Sequence, residues 1–159
     1  MPCYHFTWHT YGSWLPDRRE GYVHWSRGRQ PSSPGLATCY HQQQKEPAAR
    51  LTDEHQLAVI KELCQAAAKQ QFRLHFVACE SSHVHVLVSW SDQREAKQLS
   101  RSLRRSISLR LMQFQRRKWL ARGGSCRRVR DRGHLEHLTA QYLPSHGGWK
   151  WSERRGLFR

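Results

Sequence analysis

The sequence is organised around the stretch Glu80-Ser81-Ser82-His83-Val84-His85-Val86-Leu87-Val88-Ser89-Trp90. Its valine-rich, alternating character predicts a β-strand, in which side chains i and i+2 point to the same face. His83 and His85 are therefore expected side by side, with their Cα atoms roughly 7 Å apart. Two imidazoles on one face of a rigid strand can hold a divalent cation. The alternative is a pair of half-exposed strand histidines without a ligand, because a His-x-His match is short.

The charge of the chain indicates a polyanionic partner. Its 159 residues are a length typical of one domain with a substantial core. Lys and Arg number 27 against 12 Asp and Glu, which gives a formal net charge of +15. Nucleic acid is the first candidate, and an acidic membrane surface is the second. The seven tryptophans favour nucleic acid, since aromatic rings can stack on unpaired bases.

The five cysteines are scattered and include no C-x-x-C pair, so neither a zinc ribbon nor a disulfide framework is indicated. We therefore expect a reduced, cytoplasmic protein. The sequence shows no apolar signal core, and it contains no run of about 18 apolar residues that would predict a membrane span.

The first half of the chain predicts strands around one helix. Aromatic and β-branched residues predict a strand over residues 4–11, with His5 and His9 on one face. These two side chains either approach the histidine pair or are ordinary core-edge histidines. A helix is expected to start at Thr52 and to fade near Gln70. A strand over residues 72–79 should then form an antiparallel hairpin with the histidine strand.

A second long helix is expected to open at Ser91, with Asp92 and Glu95 as a capping box. Its predicted buried stripe consists of Ala96, Leu99, Leu103, Ile107, Leu111 and Phe114. The other faces are basic and carry almost no acidic residues, which favours contact with phosphates over a merely solvated surface. The DNA contacts predicted on this helix are Arg101, Arg104 and Arg105.

Residues 119–130 are dense in arginine and glycine and predict a loop or short strand. Arg122, Arg127 and Arg128 are expected to contact DNA there. Asp131 is expected to cap a last helix. The order strand, helix, strand, strand, helix, strand predicts a ferredoxin-like α+β sandwich: an antiparallel sheet with helices packed on one face and the histidine pair on a central strand.

The predicted organisation is one domain over residues 1–148, followed by a basic and aromatic tail over residues 149–159. A polar, irregular and flexible insertion is expected at residues 24–46. Arg27 and Arg29 in this insertion either touch DNA or belong to an inert solvated loop. The tail alternates aromatic and basic residues, a pattern suited to stacking on single strands.

The end of the last helix supplies a second set of candidate site residues. Tyr142 and His146 are four residues apart and should share a helix face. Pro144 removes a backbone hydrogen bond and is expected to kink this turn. A phenol and a third imidazole that dock against the histidine strand would make a metal site with open positions for phosphate oxygens. Otherwise Tyr142 is a packing residue, and His146 merely interacts with the helix C-terminus.

On these residues the chain resembles the HUH-type single-tyrosine transposases, which include the REP-associated tyrosine transposases. HUH denotes histidine-hydrophobic-histidine, present here as His83-Val84-His85. Tyr142 stands where the family has its nucleophile, and His146 stands where it has a third metal ligand. The resemblance extends along most of the chain.

The resemblance implies a transposase that cleaves and rejoins single-stranded DNA at hairpin-flanked sites. Mg²⁺ or Mn²⁺ held by His83, His85 and His146 would polarise the scissile phosphate. Tyr142 would attack phosphorus and form a 5′-phosphotyrosine bond. The implied partner is single-stranded or hairpin DNA, and the protein would act as a monomer or as a homodimer with a shared active site.

Three other interpretations stay open. The first is a catalytically silent, domesticated protein that binds hairpin DNA or RNA on the same fold. The second is a metal-dependent nuclease that uses water as the nucleophile. The third is a relative of replication initiators and relaxases, which is disfavoured because their histidine motif usually follows the tyrosine in the chain.

Overall fold

The computed structural model describes residues 1–17, 19–24 and 26–159. The strands are β1 (Cys3–His9), β2 (Tyr22–His24), β3 (Gly28–Gln30), β4 (Arg73–Cys79), β5 (His83–Ser89), β6 (Ser125–Arg128), β7 (Lys150–Ser152) and β8 (Gly156–Phe158). The helices are α1 (Pro34–Gln43), α2 (Asp53–Gln70), α3 (Ala96–Leu111) and α4 (Arg132–His137), and a π-helical turn (Leu138–Tyr142) continues α4. Each described helix is too short or too polar to cross a membrane.

Six strands form one antiparallel sheet in the order β6-β1-β5-β4-β7-β8. The strands β2 and β3 form a separate hairpin. Within the main sheet, the order β6-β1-β5-β4 and the connecting helices α2 and α3 reproduce the ferredoxin-like arrangement. The predicted fold class is therefore confirmed, with the histidine pair on the central strand β5.

The main core lies between the sheet and the two long helices. Because side chains alternate along a strand, Phe6 and Trp8 of β1 share a face with Val86 of β5. This face packs against Leu63 of α2 and Leu103 of α3, both fully buried. Burial of each such leucine contributes about 1.5–3 kcal/mol to the free energy of unfolding.

The start and the end of α3 differ from the prediction. The helix begins at Ala96, and Glu95 occupies the N-cap position without a side-chain capping bond. The Asp92 carboxylate accepts the backbone N–H of Arg94 at 2.9 Å, so it closes a local turn and does not form the expected capping box. Phe114 lies beyond the last helical residue and is 39% exposed, so it does not belong to the buried stripe.

The opposite face of the sheet is covered by α4 and its π-helical turn. A smaller apolar cluster forms there from Phe76, Ala78, Leu87, Leu138 and Leu143. The sequence predicts helices on one face of the sheet. The helices α2 and α3 do share a face, whereas the short helix α4 occupies the other. The residues of the candidate site lie on this second face.

Residues 24–46 contain more regular structure than the prediction of an irregular insertion allowed. Apart from Trp25, which lies outside the described residues, they contribute to the β2–β3 hairpin and form α1. The α1 helix starts with a Ser33 N-cap, whose hydroxyl accepts the N–H of Leu36 at 3.4 Å. The sequence did not reveal this helix because only Ala37 of it is buried, which leaves no apolar periodicity.

Residues 149–159, expected as a tail, contain β7 and β8 and extend the sheet beyond β4. Trp149 and Trp151 pack against the main core. The alternation of aromatic and basic residues here follows the period of two of a strand with two different faces.

Candidate metal centre

The register of β1 against β5 assembles a histidine cluster. Thr7 pairs with His85, and His9 pairs with His83, so that the odd-numbered side chains of both strands lie on the face covered by α4. His5 follows on the same face and lies beside His85, with ring centroids 5.0 Å apart. The face of β1 on which His5 and His9 were expected is therefore the face that borders the histidine pair.

His85 is buried and oriented by two neighbours. Its Nδ1 lies 2.8 Å from the Thr7 hydroxyl and 3.0 Å from Nε2 of His5. Its other ring nitrogen, Nε2, is buried and has no hydrogen-bond partner among the described residues. A buried polar atom without a partner is rare and costly in a folded protein. The arrangement suits a metal ligand, because Nδ1–H can donate to Thr7 or His5 while the Nε2 lone pair stays available to a cation.

His146 lies just past the π-helical turn, and its tautomer follows from its contacts. Its Nδ1 is 3.0 Å from the carbonyl oxygen of Tyr142 and 3.2 Å from that of Leu143. A carbonyl oxygen only accepts hydrogen bonds, so Nδ1 carries the proton in these contacts. The lone pair is then on Nε2, which is the atom available to a metal.

His83, His85 and His146 together can hold a metal ion. One ring nitrogen of each lies within 4.8 Å of those of the other two. His83 is oriented in addition by Ser82, whose hydroxyl lies 3.0 Å from its Nδ1. Imidazole nitrogen is a good ligand for zinc, copper, iron and nickel, whereas magnesium prefers oxygen. The residues therefore fit a metal, and three donors leave coordination positions for further ligands.

Burial keeps the interior of the cluster neutral. It lowers the pKa of His5 to about 4, with further lowering by the positive charge of Arg127. Burial also lowers the pKa of His85, and the neighbouring histidines add to the effect, His5 most strongly. Neutral imidazole is the form that binds a metal, so these shifts favour ligation at neutral pH.

Tyr142 places a phenol at the rim of the cluster. Its ring centroid lies 5.1 Å from that of His146, 5.5 Å from that of His85 and 5.9 Å from that of His5, each in an edge-on arrangement. The residue is 39% exposed, so that it is in contact with both the histidines and solvent. The structure therefore brings together the tyrosine and the three histidines that the sequence singled out.

The helix around Tyr142 is wider than the α-helix assumed from the sequence. The N–H of Leu143 donates to the carbonyl of Leu138 at 2.9 Å, an i to i+5 bond that defines a π-helical turn. Pro144 has no N–H to continue the ladder, and the helix ends before it. Tyr142 and His146 thus meet through the turn after the helix and not along a regular α-helical face.

An open cleft of about 1060 Å³ leads from this cluster to solvent. Its basic wall includes Arg127 and Arg128, which were predicted as DNA contacts, and Arg130, which was not. Arg127 pairs with His5 across the β1–β6 ladder, which brings its side chain to the site. Further lining residues that the sequence reasoning did not assign to the site are Thr7, Trp14, Ser125, His134 and His137.

The arginines of α3 lie elsewhere. Arg101, Arg104 and Arg105 belong to the helix that packs on the opposite face of the sheet. The Arg104 guanidinium donates to the carbonyl of Ala121 at 2.9 Å and so has a structural contact. Arg122 is exposed in the connection that precedes β6 and does not line the cleft.

No protein-family model matches the chain, and no curated protein matches it. Among solved structures, it is similar to one described as a REP-associated tyrosine transposase bound to a REP hairpin, at a TM-score of 0.48 and 10% sequence identity. The similarity covers 86% of this chain and 61% of that one, so the chain spans about three fifths of its length. Likeness at this level does not establish a shared family or a shared activity, and the fold described above rests on the strand order of the protein itself.

Proposed function

We propose that this protein is a metal-dependent strand transferase for single-stranded DNA, with Tyr142 as the nucleophile. The observation that carries the proposal is the contact of one phenol with a cluster of three histidines that could hold a metal ion, at the mouth of a basic cleft. A phenol beside a cation site is an arrangement suited to metal-assisted phosphoryl transfer. The strong net positive charge of the chain supports a DNA substrate.

In this proposal the residues have separate roles. A divalent cation held by His83, His85 and His146 would polarise the scissile phosphate. Phosphate and water oxygens at its remaining coordination positions would supply the oxygen ligands that the expected ions, Mg²⁺ or Mn²⁺, prefer. The Tyr142 oxygen attacks phosphorus, so that the Tyr142 O–P bond forms as the bond from phosphorus to the 3′ oxygen breaks. The phenol loses one proton and the departing oxygen gains one, which leaves a 5′-phosphotyrosine and a 3′-hydroxyl. Attack by another 3′-hydroxyl reverses the step and joins the strands.

We propose that the DNA strand next to the scissile phosphate lies against the cleft wall formed by Arg127, Arg128 and Arg130. An arginine guanidinium can donate two parallel hydrogen bonds to phosphate oxygens, so that it orients the DNA strand as well as attracting it. Arg101, Arg104, Arg105 and Arg122 remain proposed DNA contacts for parts of the substrate outside the cleft. The contact of Tyr142 with the histidines of its own chain supports a site that a monomer completes, without a partner's tyrosine.

The decisive experiment is incubation of the protein with a single-stranded DNA hairpin and Mn²⁺, followed by a denaturing gel and mass spectrometry. We expect wild-type protein to form a covalent peptide–DNA conjugate at Tyr142, and we expect Tyr142→Phe to bind the hairpin without forming it. Tyr40→Phe, which changes an exposed tyrosine of α1, is the matched control and should react like the wild type.

Two outcomes would reject the proposal in favour of other functions. Hydrolysed ends without attached protein, and cleavage that survives Tyr142→Phe, would indicate a nuclease with a water nucleophile. Tight hairpin binding by the wild type with neither conjugate nor cleavage would indicate a silent hairpin-binding protein.

A further inference from the structure

Lys150 is an unusual residue for the place it occupies. It lies on β7 opposite Ala78 of β4, on the sheet face that α4 covers, and is only 4% exposed. An ammonium is rarely buried unless its hydrogens find partners. No carboxylate lies within ion-pair distance of it among the described residues.

The hydrogen-bond partners of Lys150 are two backbone carbonyls of the segment that carries His146. Its Nζ donates to the carbonyl of His146 at 2.6 Å and to that of Gly148 at 3.0 Å. This segment runs between the π-helical turn and β7 and belongs to no helix or strand. Without side-chain partners, the backbone of such a segment would have few hydrogen bonds to fix its path.

Two more side chains hold the same segment. The Glu80 carboxylate, from the turn between β4 and β5, accepts the N–H of Gly147 at 2.5 Å. The amide oxygen of Gln56, from α2, accepts the N–H of Trp149 at 2.8 Å. Residues 146–149, which follow the π-helical turn, are thus hydrogen-bonded to different parts of the fold.

The contact of Lys150 matters most, because it is made with His146 itself. The ring of His146 is tied through Nδ1 to the carbonyl oxygens of Tyr142 and Leu143. The backbone carbonyl of His146 accepts a hydrogen bond from Lys150. The two sets of bonds restrain the ring and the backbone of one residue, and together they set the direction of Nε2.

We infer that Lys150 is a positioning residue for the metal centre, which holds His146 so that its Nε2 points at the site shared with His83 and His85. The inference rests on the proposed function, since it requires His146 to be a metal ligand. It assigns to a buried lysine a role in cation binding although its own charge repels cations. Outer-shell groups that orient a ligand typically change metal affinity by about 10–100-fold when they are removed.

The test is a titration of the full-length protein with Mn²⁺ alone, followed by electron paramagnetic resonance and calorimetry. Lys150→Met keeps the apolar stem and removes the donors, and we expect it to weaken Mn²⁺ binding by about tenfold or more. The matched control is Lys69→Met on the exposed surface of α2, which should bind Mn²⁺ as the wild type does.

A double-mutant cycle separates positioning from general damage. If Lys150 acts through His146, then Lys150→Met should cost no further affinity in a His146→Ala background. A loss of equal size in both backgrounds would overturn the inference, and so would unchanged affinity in Lys150→Met alone. A structural role would lower the free energy of unfolding but would not make the loss of affinity depend on His146.

A second variant carries the test if Lys150→Met does not fold. Lys150→Gln keeps a polar side chain here but is too short to make both carbonyl contacts of the lysine, and the inference requires weaker Mn²⁺ binding there too. Unchanged binding in Lys150→Gln would overturn it. If wild-type protein itself binds no Mn²⁺ in a manner sensitive to His83→Ala, the proposed metal centre fails, which is distinct from failure of the positioning role.

Discussion

At the scale of single residues, the site is defined by what surrounds His85. One of its nitrogens is held by Thr7 and His5, and the other is buried with no hydrogen-bond partner in the part of the chain that the structure describes. Both neighbours come from β1, far away in sequence. The histidine pair marks the candidate site in the sequence, but the groups that orient the His85 ring are supplied by a different strand.

His5 gives the protein a pH dependence of stability. Burial lowers its pKa to about 4, whereas an unfolded histidine titrates near 6.5. Between these values the unfolded chain binds more protons than the folded one, so stability is fully present above about pH 6.5 and is lost as the pH falls towards 4. We expect His5→Asn to reduce the loss of unfolding free energy between pH 7 and pH 4.5 by about 2–3 kcal/mol, measured by urea denaturation.

The control for this prediction is His41→Asn, which changes an exposed histidine of α1. It should leave the dependence of stability on pH as in the wild type. An equal slope for His5→Asn and the wild type would mean that His5 is not buried in its neutral form.

At the scale of elements, the connection from the π-helical turn to β7 depends on close contact with β4. A Cβ added to Gly148 would lie 2.1 Å from the carbonyl oxygen of Cys79, a backbone atom that cannot move aside without disturbing the sheet. A larger side chain at Gly148 would therefore clash with β4, and the clash would affect the whole segment that carries His146.

We expect Gly148→Ala to lower the free energy of unfolding by about 1–3 kcal/mol and to weaken metal binding, because the segment must move away from β4. Chemical denaturation and Mn²⁺ titration measure the two effects. Gly35→Ala in α1, where an added Cβ meets no atom within 4 Å, is the matched control. It should keep or slightly raise stability. Wild-type affinity in Gly148→Ala would show that the segment tolerates displacement.

The helices and strands also show how much of the fold could be predicted from the sequence. Apolar periodicity located β4, β5, α2 and the body of α3, because their core-facing residues are strictly spaced. The same reasoning could not determine that β1 lies beside β5, since the pairing of strands depends on the whole chain. It therefore placed His5 and His9 on a face without deciding what that face borders.

Two local features were missed for physical reasons. The π-helical turn at Leu138–Tyr142 leaves no distinct periodicity in so short a helix, so a regular i, i+4 pair was assumed. The start of α3 was placed too early because Asp92 is a typical capping residue, although its carboxylate binds Arg94. Tyr142 and His146 were nevertheless predicted to meet, and their rings do.

At the scale of the whole molecule, the sheet separates two basic surfaces. One is the cleft wall with Arg127, Arg128 and Arg130, next to the histidines. The other is the outer face of α3, a helix without a single acidic residue, where Arg101 and Arg105 are exposed. The sequence predicted basic residues on both elements, but it could not tell that they face opposite sides.

The two surfaces should contribute differently to DNA binding. We expect Arg127→Gln/Arg130→Gln to suppress conjugate formation on a short single strand, because both residues line the cleft. Arg101→Gln/Arg105→Gln should weaken binding of a hairpin with a long stem and lower its salt dependence by about 0.9 per lost phosphate contact, while short strands still react. Filter binding at several salt concentrations and the conjugate assay measure these effects.

Equal losses in both double variants on both substrates would contradict the separation of the two surfaces. The double variant Lys61→Gln/Lys69→Gln removes the same number of positive charges from two exposed positions of α2 and so controls for the change in net charge. It should alter hairpin affinity less than either arginine pair.

The position of β6 at the edge of the sheet has a consequence for the shape of any ligand that reaches both surfaces. Such a ligand would have to turn around this edge, from the helical side to the cleft side. Double-stranded DNA resists a sharp turn over so short a distance, with a persistence length of about 50 nm. A continuous duplex could therefore occupy one side at a time, whereas a stem joined to a pliable unpaired arm could occupy both.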